Sequence, residues 1–210
     1  MVKTDYSQQV EKQNTGSAPD SQRKIQILEA AAKVFVEKGY DRATLQDIAL
    51  RVGITKAALY YYFRNKHDLL YQIIDTLIGK GIMELTKIVE QSIPSKAKIR
   101  YAFKEHFSSY DSQFPQYGVL LHEKLDLLPL DKEQQMKQKT KRYISLWEQI
   151  MLEGVTSGEL RDDLPPKLMV WAAIGMSNWV YKWGSPRGRL QFQEIADYFN
   201  TIFLEGVSKK

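Results

Sequence analysis

The sequence predicts an all-α protein, and three observations lead to that prediction. Apolar residues recur at intervals of three and four along most of the chain after residue 22. Capping residues precede these periodic segments, and Gly or Pro follows them. Almost no segment alternates apolar and polar residues as a half-buried strand would. With 210 residues, 43% of them hydrophobic, the chain is long enough for one large domain or two small ones.

Composition and charge narrow the class of protein. The chain has no cysteine for a disulfide framework or a thiolate metal site, and we expect a cytoplasmic protein. The N-terminal segment lacks the apolar core of a signal peptide, and no run of about 18 apolar residues occurs, so we expect no membrane-spanning helix. Residues 1–66 carry 11 Lys and Arg against 7 Asp and Glu, whereas residues 67–210 carry 19 against 18. A basic end joined to a neutral body is typical of nucleic-acid binding, although many other domains match it.

The elements follow in chain order, and order is expected to begin near Arg23. Residues 1–22 are rich in Gln, Ser, Asn and Thr, so we expect a disordered arm there. A first helix follows, with Gly39 as its C-terminal stop. Its apolar face comprises Leu28, Ala31, Ala32 and Phe35.

Two short helices come next, separated by a gap of two residues. Thr44 is placed to cap the second helix with Asp47, and Thr55 to cap the third, after Gly53 and Ile54. So short a gap between such short helices fits a helix-turn-helix, whose second helix enters the DNA major groove. The apolar residues of the two helices are Leu45, Ile48, Ala49, Val52, Leu59 and Phe63.

From His67 onward the pattern is one of long helices with short breaks. One helix runs to Pro94, and Asn65 is a candidate cap for it with Asp68. Further helices are predicted at 95–112, 116–128, 132–157, 165–183 and 191–207. Helices of this length suit a bundle with a shared core.

The N-terminal motifs resemble those of a known family. They are AxxxFxxxGY, TxxDIA, VGITKAALYYYF and NKHDLL, all within residues 25–71. This stretch is similar to the DNA-binding domain of the TetR family of bacterial repressors. The resemblance implies roughly nine helices, with a DNA-binding domain at 23–69 and a helical ligand-binding and dimerisation domain at 70–210. It also implies a homodimer on a palindromic double-stranded operator, released by a small hydrophobic effector.

Several residues are candidates for contacting DNA. Thr55 can cap the third helix and aim backbone N–H groups at a phosphate, or act as a cap only. Lys56 is our first choice for a base or phosphate contact, and Ala57 allows close approach. By resemblance, Tyr60 and Tyr61 contact the DNA backbone, Tyr62 is undecided, and Lys66 grips a phosphate. Arg42 and Thr44 are similar backbone-contact candidates.

The last two helices are the candidate dimer interface. Small and apolar side chains recur there at spacings of three and four, which would let two helices approach closely. The alternative for each is ordinary intrachain core. The residues are Ala172, Gly175, Met176, Trp179, Trp183, Tyr198 and Ile202.

The ligand is the harder question. The pattern NWxYxW with a nearby GxL, in residues 175–199, resembles that of TetR-like regulators that respond to fatty-acyl or other CoA thioesters. Such a ligand needs an apolar tunnel with cations at its mouth. The polar candidates are Asn178, Lys182, Arg187 and Arg189. The apolar candidates, with ordinary core as the alternative for each, are Phe103, Phe107, Tyr110, Leu121, Leu125, Tyr143 and Trp147. A hydrophobic or multidrug-type compound, a steroid or aromatic intermediate and a free fatty acid remain rival ligands.

Catalysis is not expected. The three histidines, His67, His106 and His122, belong to no HExxH motif, and no glycine-rich phosphate loop occurs. We therefore expect neither an enzyme nor a metal or cofactor site, and take each histidine for surface or satisfied core. A nonspecific architectural DNA-binding protein is the remaining alternative.

Overall fold

The computed structural model describes residues 18–122 and 125–209, and within them it confirms the all-α prediction. Leu160 and Ser208 form an isolated β-bridge, and the rest of the regular structure described is helical. The described chain divides into two compact units, one ending at Leu69 and the other beginning at Leu70. The α-helices are α1 Ala18–Lys38, α2 Leu45–Val52, α3 Lys56–Tyr62, α4 Lys66–Val89, α5 Ser95–His122, α6 Leu130–Thr156, α7 Pro166–Trp183 and α8 Phe192–Val207, with a 3₁₀ turn at Leu125–Leu127.

Helix α1 begins at Ala18, ahead of Arg23, so the expected disordered arm is wrong for residues 18–22. Residues 1–17 lie outside the described part of the chain. Asp20 lies in the first turn of α1, where a carboxylate interacts favourably with the helix dipole. It also accepts a hydrogen bond of 3.2 Å from the Tyr62 hydroxyl of α3. This tertiary partner explains why the helix extends into a segment of low intrinsic apolarity.

Local capping chemistry sets the ends of α2 and α3 as predicted. The Thr44 hydroxyl accepts from Asp47 N, and the Asp47 carboxylate accepts from Thr44 N, which completes a capping box. Gly53 ends α2 at φ 75°, a left-handed conformation that a side chain would strain. Thr55 then accepts from Ala58 N and starts α3. A left-handed glycine between two capped helices thus produces the tight turn.

The core of the first unit is built from the apolar faces of its helices. Leu59 and Phe63 are fully buried, and Phe35 packs edge-on against Tyr40 with ring centroids 5.2 Å apart. The predicted helix faces are therefore confirmed in their direction. The other buried residues include Ile27, Ala31, Ala32, Val34, Ala43, Ile48, Ala49 and Leu69.

In the second unit, α5 differs from the prediction. The expected break at residues 114–117 is a kink inside one helix, with a non-helical Gln113 (φ −123°, ψ 22°) ahead of Pro115. Proline removes a backbone donor and clashes with the preceding turn, which bends a helix when packing holds both halves. The predicted helix 116–128 is wrong at its end, because α5 stops at His122 and residues 125–127 form the 3₁₀ turn. Helices α6, α7 and α8 begin and end within a few residues of their predicted ends.

Aromatic side chains fill the core of the second unit. Tyr110 stacks on Tyr117 with ring centroids 4.3 Å apart, and its hydroxyl donates to Ser177 O at 3.0 Å. Phe103 packs edge-on against Trp147 at 5.7 Å. Among the described residues, no helix has the length and apolarity needed to cross a bilayer.

Candidate DNA interface and ligand cavity

Helix α3 presents one face to solvent and buries the other. Thr55, Lys56 and Ala57 are exposed at its start, and the side chains of Tyr60 and Tyr61 are 49% and 76% exposed. The Lys56 ammonium lies 5.9 Å from the centroid of the Tyr60 ring, within reach of a cation–π interaction. The exposed face therefore combines a cation, two phenols and a small side chain, groups that bind phosphate, sugar and base edges.

Tyr62 has a different position from its two neighbours. It is half-buried, and its hydroxyl donates to Asp20 Oδ1 of α1. Its ring also meets the Tyr61 ring edge-on, with centroids 5.0 Å apart. Tyr62 thus ties α3 to α1, and the row of tyrosines divides into two exposed side chains and one structural one.

Lys66 is engaged inside the first unit, which argues against the phosphate grip that the resemblance implies for its side chain. Its ammonium donates to the carbonyl oxygens of Tyr40 (2.7 Å), Asp41 (3.2 Å) and Ala43 (3.1 Å). It also lies 4.3 Å from the centroid of the Tyr40 ring. An ammonium has three donors, and these three carbonyls use them. We therefore remove the Lys66 side chain from the candidate phosphate contacts.

Thr44 and Arg42 are both exposed but differ in the donors that they offer. The Thr44 hydroxyl donates to Asp47 Oδ2 at 2.8 Å, and its N–H donates to the same oxygen at 3.0 Å. Hydrogen bonds from Lys38 and Thr44 lower the pKa of Asp47 to about 2, so its carboxylate stays charged and keeps these donors. The Arg42 Nε donates to Lys38 O, which leaves the terminal guanidinium nitrogens to reach outward. Arg42 is thus the stronger candidate for a phosphate contact.

The predicted dimer residues form an apolar surface on α7 and α8. Trp179 is 64% exposed and Trp183 52%, while Tyr198 and Ile202 are each 60% exposed. Ala172 and Gly175 are exposed beside them, and a Cβ on Gly175 would meet open space. Met176 instead is half-buried and packs against the core. Large exposed aromatic and aliphatic side chains in one patch mark an interaction surface.

A cavity of about 290 Å³ lies within the second unit. Its wall is mostly apolar and is built from α4, α5, α6, α7 and the 3₁₀ turn. The lining residues are Leu77, Ile78, Lys80, Gly81, Glu84, Leu85, Ala102, Glu105, His106, Ser109, Tyr117, Leu120, Leu125, Thr140, Tyr143, Ile144, Trp171, Ile174 and Asn178. An apolar cavity with a few polar groups is the usual form of a small-molecule site.

The cavity contains some of the predicted ligand residues and not others. Leu125, Tyr143 and Asn178 line it as expected. The remaining described candidates are absent from the lining, which corrects the prediction for them. Phe103, Phe107, Tyr110 and Trp147 belong to the buried core, whereas Lys182, Arg187 and Arg189 are exposed at or after the end of α7. The side chain of Leu121 lies outside the described residues.

Sequence reasoning missed His106 as a cavity residue. It took the histidine for surface or satisfied core, yet His106 lines the cavity with Ala102 and Ser109 of the same helix. These three follow helical spacing and are small or polar, whereas the neighbouring buried residues Phe103, Phe107 and Tyr110 are aromatic. That local change of composition is the signal that could have identified the cavity face of α5.

His106 and Tyr143 form a buried polar pair in the cavity wall. His106 Nδ1 lies 3.2 Å from the Tyr143 hydroxyl. Burial lowers the pKa of His106 to about 4 and raises that of Tyr143 to about 12, so both are neutral near neutral pH. Within the described structure, His106 Nε2 has neither accessible surface nor a hydrogen-bond partner. The pair is thus an uncharged hydrogen-bonding group in an apolar wall.

Comparison with known families agrees with this architecture. A family model described as bacterial regulatory proteins of the tetR family matches residues 27–73. A second model, described as the tetracyclin repressor-like C-terminal domain, matches residues 92–207. The two matches fall on the helix-turn-helix and on the helical unit that contains the cavity.

Individual proteins are similar along most of the chain. The HTH-type transcriptional repressor KstR2 of Mycolicibacterium smegmatis is 25% identical over 197 residues, which cover 93% of this chain and 95% of that protein. The fatty acid metabolism regulator protein of Bacillus subtilis is 26% identical over 161 residues, 74% of this chain and 82% of that one. The crystal structure of AibR in complex with isovaleryl coenzyme A and operator DNA superposes with a TM-score of 0.75. It is 25% identical and covers 86% of this chain and 97% of that one.

Proposed function

The chain belongs to the TetR family of bacterial regulatory proteins, and from that premise we propose that it is a dimeric repressor whose hold on operator DNA is released by an acyl-CoA. As a family member it is a ligand-responsive, DNA-binding transcriptional regulator. The similarity to a protein named as a repressor, over nearly the full length of both, favours repression over activation.

The exposed face of α3 supports the proposed DNA contact. Lys56 and Ala57 lie on its first turn, and Tyr60 and Tyr61 continue the same exposed surface. Lys56 would reach a base edge or a phosphate, while the two phenols would donate to phosphate oxygens beside the groove. Arg42 would add a phosphate contact from the turn between α1 and α2, and Thr55 would hold the start of α3 in place.

The apolar surface of α7 and α8 supports a homodimer. A two-fold interface pairs the same patch on both subunits, so one surface of exposed tryptophans, Tyr198 and Ile202 is sufficient to build it. Gly175 and Ala172 would let the two α7 helices approach closely. A dimer places two recognition helices on two half-sites, which gives a small DNA-binding domain useful affinity and specificity for a palindromic operator.

The cavity is the observation that supports the proposed ligand. Its apolar wall suits an acyl chain, and relatives are named for fatty acid metabolism and for a complex with isovaleryl coenzyme A. Lys80 is the one cation among the lining residues that the structure describes, so this part of the cavity suits the acyl part of the ligand better than the CoA phosphates. Helix α4 contributes Leu77, Ile78 and Leu85 to the wall and starts in the first unit at Lys66. A ligand that binds better to a state with misplaced recognition helices would lower DNA affinity by that difference.

The experiment begins with an operator selected from random DNA by the purified full-length protein. Fluorescence anisotropy then measures operator affinity in excess competitor DNA, with octanoyl-CoA, palmitoyl-CoA, palmitate and free CoA as additives. We expect one palindromic sequence to survive competition and micromolar acyl-CoA to weaken its binding, with little effect of free CoA. Equal binding to all sequences would indicate an architectural protein, and an operator affinity that no acyl-CoA changes would refute the ligand class.

The same assay tests the DNA-contacting face. Lys56→Ala should weaken operator binding about tenfold, since a base or phosphate contact contributes roughly 1–3 kcal/mol. A selective loss of specific binding would assign Lys56 to a base, and an equal loss on all DNA would assign it to a phosphate. Tyr62→Phe is the control on the same helix, because its hydroxyl faces Asp20.

A further inference from the structure

The cavity wall contains the buried polar pair of His106 and Tyr143. We propose that Tyr143, held by His106 and Gly81, is a specificity-determining residue that binds an uncharged oxygen of the ligand, such as a thioester or ketone carbonyl, and discriminates against a carboxylate. The inference rests on the proposed function, in which this cavity receives the effector, and it names the chemistry of that site.

The pair of His106 and Tyr143 has a limited number of hydrogen-bond donors and acceptors left for a ligand. A neutral imidazole has one donor and one acceptor nitrogen, and a phenol has one donor and two lone pairs. The bond between His106 Nδ1 and the Tyr143 hydroxyl uses one position on each. If Nδ1–H donates to the phenol oxygen, the phenol proton remains for a ligand acceptor. A carbonyl oxygen fits that arrangement, whereas in the opposite tautomer the phenol donates to Nδ1 and keeps only acceptor positions, which a carbonyl cannot use.

Both residues line the cavity, but the Tyr143 hydroxyl, and not the free ring nitrogen of His106, is the group that would meet the ligand. His106 Nε2 has no accessible surface, because the rings of Phe107, Tyr110 and Tyr117 surround the imidazole with centroids 5.4 to 5.8 Å away. Tyr143 is half-buried and lines the cavity. His106 therefore acts through Tyr143 and orients its hydroxyl.

Gly81 fixes the ring of Tyr143 from a third helix. A Cβ at Gly81 would lie 2.9 Å from Tyr143 Cε2, closer than ordinary packing allows. The phenol of α6 is thus held between the glycine of α4 and the histidine of α5. A hydroxyl fixed in this way loses little freedom on binding, which favours a ligand oxygen at one defined place.

The charge of the head group makes the cavity discriminate between a carbonyl and a carboxylate. A buried carboxylate needs several donors or a cation in place of its hydration, and one phenol proton is insufficient. Two further carboxylates, those of Glu84 and Glu105, belong to the same lining and would repel it. Lys80 is the cation among the described lining residues; one of its three donors is used by Gln113 Oε1 at 3.5 Å, and the two carboxylates outnumber its single positive charge.

Matched probes test the inference without DNA. S-ethyl octanethioate and octanoate carry the same acyl chain and differ in the head group. Isothermal titration calorimetry at neutral pH compares the two probes on the full-length wild type, on Tyr143→Phe and on Tyr101→Phe. Tyr101 is the matched control, because it lies exposed on α5 and does not line the cavity.

We expect the thioester to bind the wild type at least about tenfold more tightly than octanoate, and Tyr143→Phe to weaken thioester binding about tenfold. Octanoate affinity should change less than about twofold in that variant, and Tyr101→Phe should match the wild type for both probes. Octanoate binding as tightly as the thioester, an unchanged thioester affinity in Tyr143→Phe, or binding of neither probe would each overturn the inference.

The experiments distinguish a failure of the inference about Tyr143 from a failure of the proposed function. If operator DNA is released by acyl-CoA in both the wild type and Tyr143→Phe, the repressor function stands and the role of Tyr143 is wrong. If no operator is bound, the proposed function fails, whereas a head-group preference measured without DNA still supports the inference.

Discussion

At the scale of single residues, two lysines near the same short helix have opposite surroundings. Lys56 is exposed, and its one described interaction is with the face of the Tyr60 ring. Lys66 is half-buried, and its ammonium donates to three carbonyl oxygens that follow α1. Sequence reasoning assigned both to DNA, because nothing local shows that the chain after α1 returns to Lys66. The DNA contact remains a prediction for Lys56, whereas Lys66 holds the first unit together.

The different surroundings of the two lysines predict different effects on stability when each is replaced. Lys66→Met should lower the free energy of unfolding by about 2 kcal/mol, since hydrogen bonds from a charged donor contribute roughly that much and the carbonyls lose their partner. Lys56→Met should change it by less than about 0.5 kcal/mol, as is usual for an exposed side chain. Urea unfolding of both variants measures the difference. Equal stability of the two would contradict the role given to Lys66.

His106 gives the protein a predictable pH dependence. Burial lowers the pKa of His106 from its usual value of about 6.5 to about 4, so the unfolded chain binds a proton in that window and the folded chain does not. Stability is therefore fully present above about pH 6.5 and declines as the pH falls towards 4. Between about pH 8 and pH 5 the loss due to His106 should be about 2 kcal/mol.

Urea unfolding at these two pH values measures that loss in the wild type and in His106→Gln. Other groups of the protein also gain protons over this range, so the difference between the two proteins is the relevant quantity. The variant should lose about 2 kcal/mol less than the wild type between the two pH values. An identical pH dependence would show that His106 is not buried in its neutral form.

At the scale of elements, helix ends were predictable wherever capping is local. Thr44, Thr55 and Asn65 each cap the helix that follows, and each lies within three residues of its partner. The end of α5 was not predictable in this way. Pro115 normally signals a break, but packing of both halves keeps the helix continuous through a kink at Gln113. The helix faces were predicted because periodicity depends only on nearby residues.

Two glycines of α4 allow a test of the packing contact between α4 and the Tyr143 ring of α6. Gly79 has open space where a Cβ would lie, whereas the same atom at Gly81 would meet Tyr143 at 2.9 Å. Gly79→Ala should stabilise the protein by roughly 0.5–1 kcal/mol through helix propensity. Gly81→Ala should instead destabilise it by about 1–2 kcal/mol, because the Tyr143 ring must move.

Thermal unfolding of the two variants side by side is the measurement. Because both changes add a methyl group to the same helix, they control for each other. A stabilising Gly81→Ala would mean that the Tyr143 ring is not held against α4.

At the scale of the whole molecule, the sequence predicted the two units and the regulator family. It did not predict which residues line the cavity. Its lining comes from four α-helices and a 3₁₀ turn that are far apart in the chain, so no local pattern assembles it. Phe103, Phe107, Tyr110 and Trp147 have the same apolar character as lining residues and differ only in the direction that packing gives them. Aromatic residues at helical spacing therefore predicted burial and did not separate core from cavity.

The assembly prediction concerns the α7 and α8 surface. Trp179→Arg places a charge in the exposed apolar patch, so it should shift the protein from dimer to monomer without lowering the unfolding temperature of the isolated subunit. Sedimentation equilibrium of the wild type and the variant measures the change in mass. Leu152→Arg is the control, since Leu152 is exposed on α6 outside that patch. A dimeric Trp179→Arg would show that the interface lies elsewhere.

The central claim is that a ligand in the cavity controls operator binding, and one measurement addresses it directly. Ala102 is buried in the cavity wall, so Ala102→Phe would fill part of the space that an acyl chain needs. Anisotropy of the selected operator is followed with the wild type and with Ala102→Phe while palmitoyl-CoA is added. We expect both proteins to bind the operator equally and only the wild type to release it at micromolar ligand. Equal release of operator by both proteins would contradict the claim that the effector acts through this cavity.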